Sequence, residues 1–175
     1  MARVKLLEAR DLPEHAGLVA KISGSRGKLI NLYRLLLHTP GIAEKWLEFV
    51  NAMRTHSILD EFTRELAIMR IATLNATEYV LRIHGGGMAQ KAGMTAEQIA
   101  AIADWRGSPA FNARERAILA YVDAMTRDLE VPDEIFAALR EQFDERGVVE
   151  LSIFVGCYNM HTRVMRALKL DVEPS

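Results

Sequence analysis

The stretch Arg64–Gly93, RELAIMRIATLNATEYVLRIHGGGMAQKAG, decides how the chain is read. Between Glu65 and Leu74 the only other charge is Arg70, so a helix through this run is apolar nearly all round and belongs in an interior. Glu65 then needs a partner. Asn75-Ala76-Thr77-Glu78 offers a capping acceptor with a carboxylate three residues on, which predicts a second helix from Asn75 to Gly93 with His84 in its middle. A tight break at Asn75 folds the two helices into an antiparallel hairpin. Glu65 precedes Asn75 by ten residues and His84 follows it by nine. At about 1.5 Å of rise per residue, both lie roughly 14–15 Å from the turn and can meet. The same spacing suits a functional acid–imidazole pair or a buried ion pair that only fixes helix register.

Gly85, Gly86 and Gly87 follow the histidine, and in a helix interior they would cost roughly 3 kcal/mol together relative to alanines. Either a neighbouring helix approaches closely there, or the missing side chains leave room for a small ligand beside His84. Close packing is the preferred reading.

Outside this stretch the composition sets limits. The 175 residues are 50% hydrophobic, enough for a core without metals or disulfides. With 22 basic and 23 acidic residues the net charge is −1, and no basic cluster marks a nucleic-acid surface. The single cysteine, Cys157, leaves no CxxC motif and suits a reducing compartment. The first residues show no signal-peptide pattern and no apolar run is long enough to span a bilayer, so the expected location is cytoplasmic, with no membrane or nucleic-acid partner.

Residues 1–30 read as an N-terminal arm, loosely structured or a short helix, ahead of one helical domain over 31–175. GSRGK at Gly24–Lys28 is not a phosphate loop, because Ile22 stands where the first glycine belongs and Leu29 replaces the hydroxyl residue. Leu29, Leu32, Tyr33 and Leu36 repeat with helical period until Thr39-Pro40-Gly41. Trp46, Phe49, Val50 and Met53 mark the buried face of another helix. Asp60 caps the helix of Glu65, Gly93 ends the next, and Thr95–Gln98 and Asn112–Glu115 are capping boxes. Ile118, Tyr121, Val122, Met125 and Leu129 share one face, and Pro132 opens a helix expected to bury Ile135, Phe136, Leu139 and Phe143. The last helix, about Gly147–Leu170, is apolar on most sides from Val148 to Tyr158, as for a core helix or one buried between subunits. Tyr158, Asn159, His161 and Arg163 read as satisfied core or interface groups, and Cys157 as an inert buried thiol. No strand pattern competes, so the fold class is all-α, about seven to eight helices around the central hairpin.

Several segments resemble the carboxymuconolactone decarboxylase family, which shares the alkylhydroperoxidase D-like fold. They are NLYRLLLHTPG (Asn31–Gly41), Arg64-Glu65-Leu66, Glu78-Tyr79 with His84, FNARERAILAYVDAMT (Phe111–Thr126) and VELSIFVGCYNMHTRV (Val149–Val164). The resemblance implies an alkylhydroperoxidase D-like helical bundle and a homo-oligomer, commonly a trimer or hexamer. Peroxidase members carry a glutamate, a CxxC pair and, with three residues between, a histidine. Aligned on Glu65 and His84, this chain has Thr77 and Val80 at the cysteine positions. Thiol peroxidase chemistry needs a thiolate to attack the peroxide and a second thiol to resolve the sulfenic acid, so the chain is expected to lack it.

By the same resemblance the expected activity is that of a cofactor-independent acid–base lyase or decarboxylase acting on a small anionic lactone or related carboxylate. His84 would hydrogen-bond the developing oxyanion and Glu65 would carry the proton, with Glu78 or Tyr79 able to substitute. Arg82 or Arg163 would bind the substrate carboxylate. No metal or organic cofactor is required. The alternatives are a peroxiredoxin-type antioxidant protein of the alkylhydroperoxidase D-like fold and a noncatalytic oligomeric small-molecule-binding protein.

Overall fold

The computed structural model describes residues 2–173, and those residues form helices and no strand. They divide into two compact units, one drawn from residues 2–57 and 167–173, the other spanning Ile58–Arg166.

In the first unit, single turns at Ala9–Asp11 and Pro13–His15 lead into α1 (Ala16–Arg26), followed by α2 (Asn31–Leu36) and α3 (Pro40–Thr55). Gly27 ends α1 at φ +78, a left-handed position that glycine takes without cost, so the GSRGK glycines serve a helix and its end. Val19, Ile22, Leu32, Tyr33, Leu36 and Leu47 supply the core. Arg34 holds the first residues in place, donating from Nε to Leu7 O at 3.2 Å, while the chain's last described turn accepts from the Asn31 side chain at Asp171 O, 3.0 Å. On α3 the buried stripe is Ala43, Leu47 and Val50, so of the expected Trp46, Phe49, Val50 and Met53 only Val50 is buried, and Phe49 is exposed. Both stripes have helical spacing, and the pattern alone does not say which one meets a neighbour.

The second unit is built on α4 (Glu61–Leu74), which buries Leu66, Ala67, Ile68, Met69, Ile71 and Ala72 as its all-round apolar pattern predicts. Asp60 caps it, accepting from Thr63 N at 2.7 Å. Then come α5 (Glu78–Ile83), a wide turn over His84–Met88, the single turn α6 (Ala89–Lys91), α7 (Ala96–Ala101), α8 (Ala113–Asp123), a second wide turn over Ala124–Asp128, α9 (Asp133–Arg140) and α10 (Glu145–Ala167). The capping boxes at Thr95/Gln98 and Asn112/Glu115 both form.

Three local expectations are corrected. Asn75 does not cap α5. It ends α4, where Thr77 N–H donates to Ala72 O and Ala76 N–H to Thr73 O around a left-handed Ala76 at φ +46. The Asn75 side chain instead donates to Asn159 Oδ1 at 2.9 Å and Thr162 Oγ1 at 2.8 Å on α10. The helix of His84 does not run unbroken to Gly93, because Gly86 (φ −74, ψ 15) and Gly87 (φ 135, ψ −16) leave helical space. On α9 only Leu139 is buried and Phe136 is exposed, and Leu129 lies beyond the end of α8, 76% exposed.

A buried ionic cluster ties α4 to α8. Arg70, 2% exposed, donates from Nε to Asp123 Oδ1 at 2.5 Å and from Nη2 to Oδ2 at 3.0 Å, while its Nη1 serves Ile102 O and Ala103 O at 2.8 and 2.9 Å. Trp105 Nε1 and the Arg106 guanidinium complete the shell of Asp123. Burial pushes the Asp123 carboxyl up, but the hydrogen bonds from Arg70 and Arg106 outweigh it and hold the pKa below the ordinary 3.8. No helix among the described residues is long and apolar enough to cross a membrane.

Candidate functional site

Within the second unit the α4–α5 hairpin brings the predicted pair together. His84 Nδ1 lies 2.7 Å from Glu65 Oε2, with the two side chains 12% and 11% exposed. Glu65 sits on the first turns of α4, and His84 opens the wide turn at the end of α5. An ionised carboxylate only accepts, so Nδ1 carries the shared hydrogen and the second ring nitrogen, Nε2, is left to act. Among the described residues no protein group bonds to that Nε2. This is the arrangement of a base held by an orienting carboxylate.

The other predicted residues are not gathered around the pair. Glu78 and Arg82 are exposed, and Tyr79 is buried at 3%. At about 100° per residue, Arg82 and Tyr79 point roughly 200° and 140° away from His84 around α5. Arg163 is exposed and donates to Thr126 O at 3.2 Å, a contact that closes the wide turn after α8. Thr77 and Val80, at the positions of the peroxidase cysteines, are both buried at 3%. Cys157 is buried as expected, its thiol pushed up to about 12 by desolvation. Its sulfur lies 3.3 Å from His161 Nδ1, and that nitrogen also reaches Cys157 O at 2.8 Å.

The glycine run is explained differently from the packing reading. A Cβ on Gly85 would meet only the flexible end of Met69, at 3.4 Å, and one on Gly86 would meet nothing within 4 Å. Gly87 is required by its backbone, at φ +135. The run therefore turns the chain away immediately after His84.

One residue of this neighbourhood was not assigned to the site from sequence. Tyr158 on α10 meets His84 in an edge-to-face contact, ring centroids 6.2 Å apart at 84°. Its helical spacing from Phe154, four residues before it, and His161, three after it, was the available signal for an aromatic stripe. Among the described residues no group of three or more His, Cys, Asp or Glu is placed to hold a metal ion.

Comparison with known proteins agrees with this architecture. Residues 40–124 match the model of the carboxymuconolactone decarboxylase family. The chain is 31% identical over 129 residues to the uncharacterized protein YnjA of Escherichia coli (strain K12), covering 73% of this chain and 68% of that one. The alkylhydroperoxidase AhpD core structure of a peroxidase-related protein from Ralstonia eutropha JMP134 superposes with a TM-score of 0.82 at 18% identity, covering 98% of this chain and 92% of that one. A variant of the debrominase Bmp8, solved in complex with 2,3,4-tribromopyrrole, gives 0.80 at 17% identity over 99% and 94%. At these identities the two structures speak to fold alone: all-helical and AhpD-like.

Proposed function

Taking as premise that the chain belongs to the carboxymuconolactone decarboxylase family, we propose that it is a cofactor-independent acid–base lyase acting on a small anionic lactone or related carboxylate. The carrying observation is the Glu65–His84 bond at Nδ1, which leaves Nε2 as the proton-transferring atom. This moves the proton-carrying role expected of Glu65 to His84, which keeps its oxyanion contact. Glu65 orients the imidazole, and His84 does the chemistry.

In the proposed step the bond between the substrate carboxylate and its carbon breaks, carbon dioxide leaves, and the electron pair passes into the lactone carbonyl as an enolate. A protonated His84 donates from Nε2, first as a hydrogen bond to the oxyanion and then as the proton that carbon takes up. Solvent restores the proton. Glu65 holds Nδ1 throughout. Of the two cations expected for the carboxylate, Arg163 is the candidate, its bond to Thr126 O giving way to the ligand, because Arg82 projects from the far side of α5.

The AhpD-like alternative, a thiol peroxidase, is disfavoured by Thr77, Val80 and a Cys157 thiol held near 12. A noncatalytic small-molecule-binding role is favoured by no specific observation. A reducing, cytoplasmic setting suits a chain with one buried thiol. We also propose self-association, because α10 leaves Val149 and Ile153 exposed at 56% and 47%.

The test is carbon dioxide release from unsaturated lactone carboxylates by wild type, Glu65→Gln, His84→Gln and the double variant, beside thermal melts. The proposal expects turnover in wild type alone, near-native melting of His84→Gln, and non-additive losses. Low melting of both single variants with unchanged turnover per folded molecule would make the pair scaffolding. Peroxide consumption coupled to a dithiol reductant would move the assignment to the antioxidant class, and its loss in Cys157→Ser would assign the peroxide-attacking thiolate to Cys157.

A further inference from the structure

His84 keeps helical backbone geometry at φ −80 and ψ −45, its N–H donating to Val80 O and its C=O accepting from Ala89 N–H, which fixes where the side chain starts but not how its ring turns. The chain leaves helical geometry two residues later, at Gly86 and Gly87. The one hydrogen bond to Glu65 fixes a single ring atom, and such bonds tolerate a wide range of angles. A ring so held can still rotate about its Cβ–Cγ bond, and a half turn would put Cδ2 in place of Nδ1 beside the carboxylate. Something else must set its plane.

We propose that Tyr158 is a positioning residue for His84, its ring fixing the imidazole plane so that Nδ1 stays on Glu65 and Nε2 stays turned toward the ligand. The contact is edge-to-face, 6.2 Å between centroids and 84° between planes, a geometry that aromatic quadrupoles favour and that a pivoting ring would lose. Tyr158 can do this because it is itself fixed. It stacks on His161 at 5.3 Å and 17°, and packs on Phe154 at 4.8 Å and 33°. His161 is pinned to α10 through Nδ1 and Cys157 O at 2.8 Å. Orientation thus passes from the α10 backbone through His161 and Tyr158 to His84, so α10 sets the aim of a ring carried by the hairpin. The inference rests on the reading of Nε2 as the substrate-facing atom, but its test does not use turnover.

The experiment is long-range proton–nitrogen NMR of the histidine rings, followed upward in pH until the spectra no longer change, so that the neutral tautomers are read. Wild type is expected to show His84 almost wholly as the Nδ1–H tautomer, with nuclear Overhauser contacts from the Tyr158 ring to His84 ring protons. Tyr158→Phe keeps the ring and should keep both signatures. Tyr158→Leu should lower the Nδ1–H to Nε2–H ratio several-fold, toward the mixture of a free imidazole, in protein whose melt shows it folded. A merely structural tyrosine would lower the melting temperature and leave the tautomer alone, and that result overturns the proposal. Should Tyr158→Leu not fold, the wild-type spectrum still decides: absence of the Tyr158–His84 contacts, or a mixed His84 tautomer, is equally fatal. If instead His84→Gln keeps turnover while the tautomer result holds, the acid–base function fails and the positioning stands.

Discussion

Replacing Asp123 by leucine strands the most deeply buried charge in the second unit. Arg70, 2% exposed, has its Nε and Nη2 on Asp123, and only Nη1 is served otherwise, by Ile102 O and Ala103 O. Removing one partner of such a pair costs about 3–5 kcal/mol, and loss of the acceptor for Trp105 Nε1 adds about 1 kcal/mol. Arg70→Met should cost less, about 2–3 kcal/mol, because Asp123 keeps Arg106 and Trp105 while two carbonyls lose their donor. In Arg70→Met/Asp123→Leu neither charge is left unpaired, so the double variant should lie well short of the sum, with a coupling of about 2 kcal/mol or more. Urea unfolding of the four proteins at pH 7 measures this. The pH dependence gives a second reading. The folded pKa of Asp123 is depressed below 3.8, so its contribution is fully present above that value and is lost as pH falls through the folded pKa. Wild type should therefore lose its advantage over Asp123→Leu only below about pH 4. Single effects that add within about 0.5 kcal/mol, or an advantage that does not shrink in acid, would refute the reasoning.

Other outcomes follow from single contacts. Ala76 ends α4 at φ +46, so Ala76→Gly should stabilise by about 1 kcal/mol, read as a raised melting temperature. Asn159 joins Asn75, Thr126 Oγ1 and Val155 O, the last two at 3.0 and 3.1 Å, and Asn159→Ala should cost about 2–4 kcal/mol in urea unfolding through the stranded Asn75 and Thr126 groups. Ile153→Asp, on the exposed stripe of α10, should shift sedimentation toward monomer while leaving the helical circular dichroism of each chain unchanged.

Where information was local, the sequence was readable. Asp60, Thr95 and Asn112 cap their helices as their spacing requires, since a cap depends on three or four neighbouring residues. The Glu65–His84 contact was readable because two consecutive helices with a short turn leave few ways to pair. Phase was not. Phe49 and Phe136 have the spacing of buried residues and are exposed, because a stripe's period does not say which side meets a neighbour. Asn75 was misread for a related reason: its side chain is taken by Asn159 and Thr162, far along the chain, and local propensity gave way to that tertiary bond. Arg70 could be seen as a lone charge on an apolar helix, but its partner on α8 could not. Arg82 lies two residues before His84 and Tyr79 belongs to the motif that carries the family resemblance, and about 100° of rotation per residue turns both away from the His84 side of α5.

The central claim is that His84 Nε2, aimed by Glu65, moves protons to and from carbon. Solvent-deuterium exchange reads that step without requiring net turnover. Unsaturated lactone carboxylates incubated with the protein in deuterium oxide should take up deuterium at the carbon beside the lactone carbonyl with wild type. Uptake should fall to background with His84→Gln and be strongly slowed with Glu65→Gln, while all three proteins remain folded. Exchange that proceeds equally in His84→Gln, or wild-type protein that binds such ligands and exchanges nothing, contradicts the account.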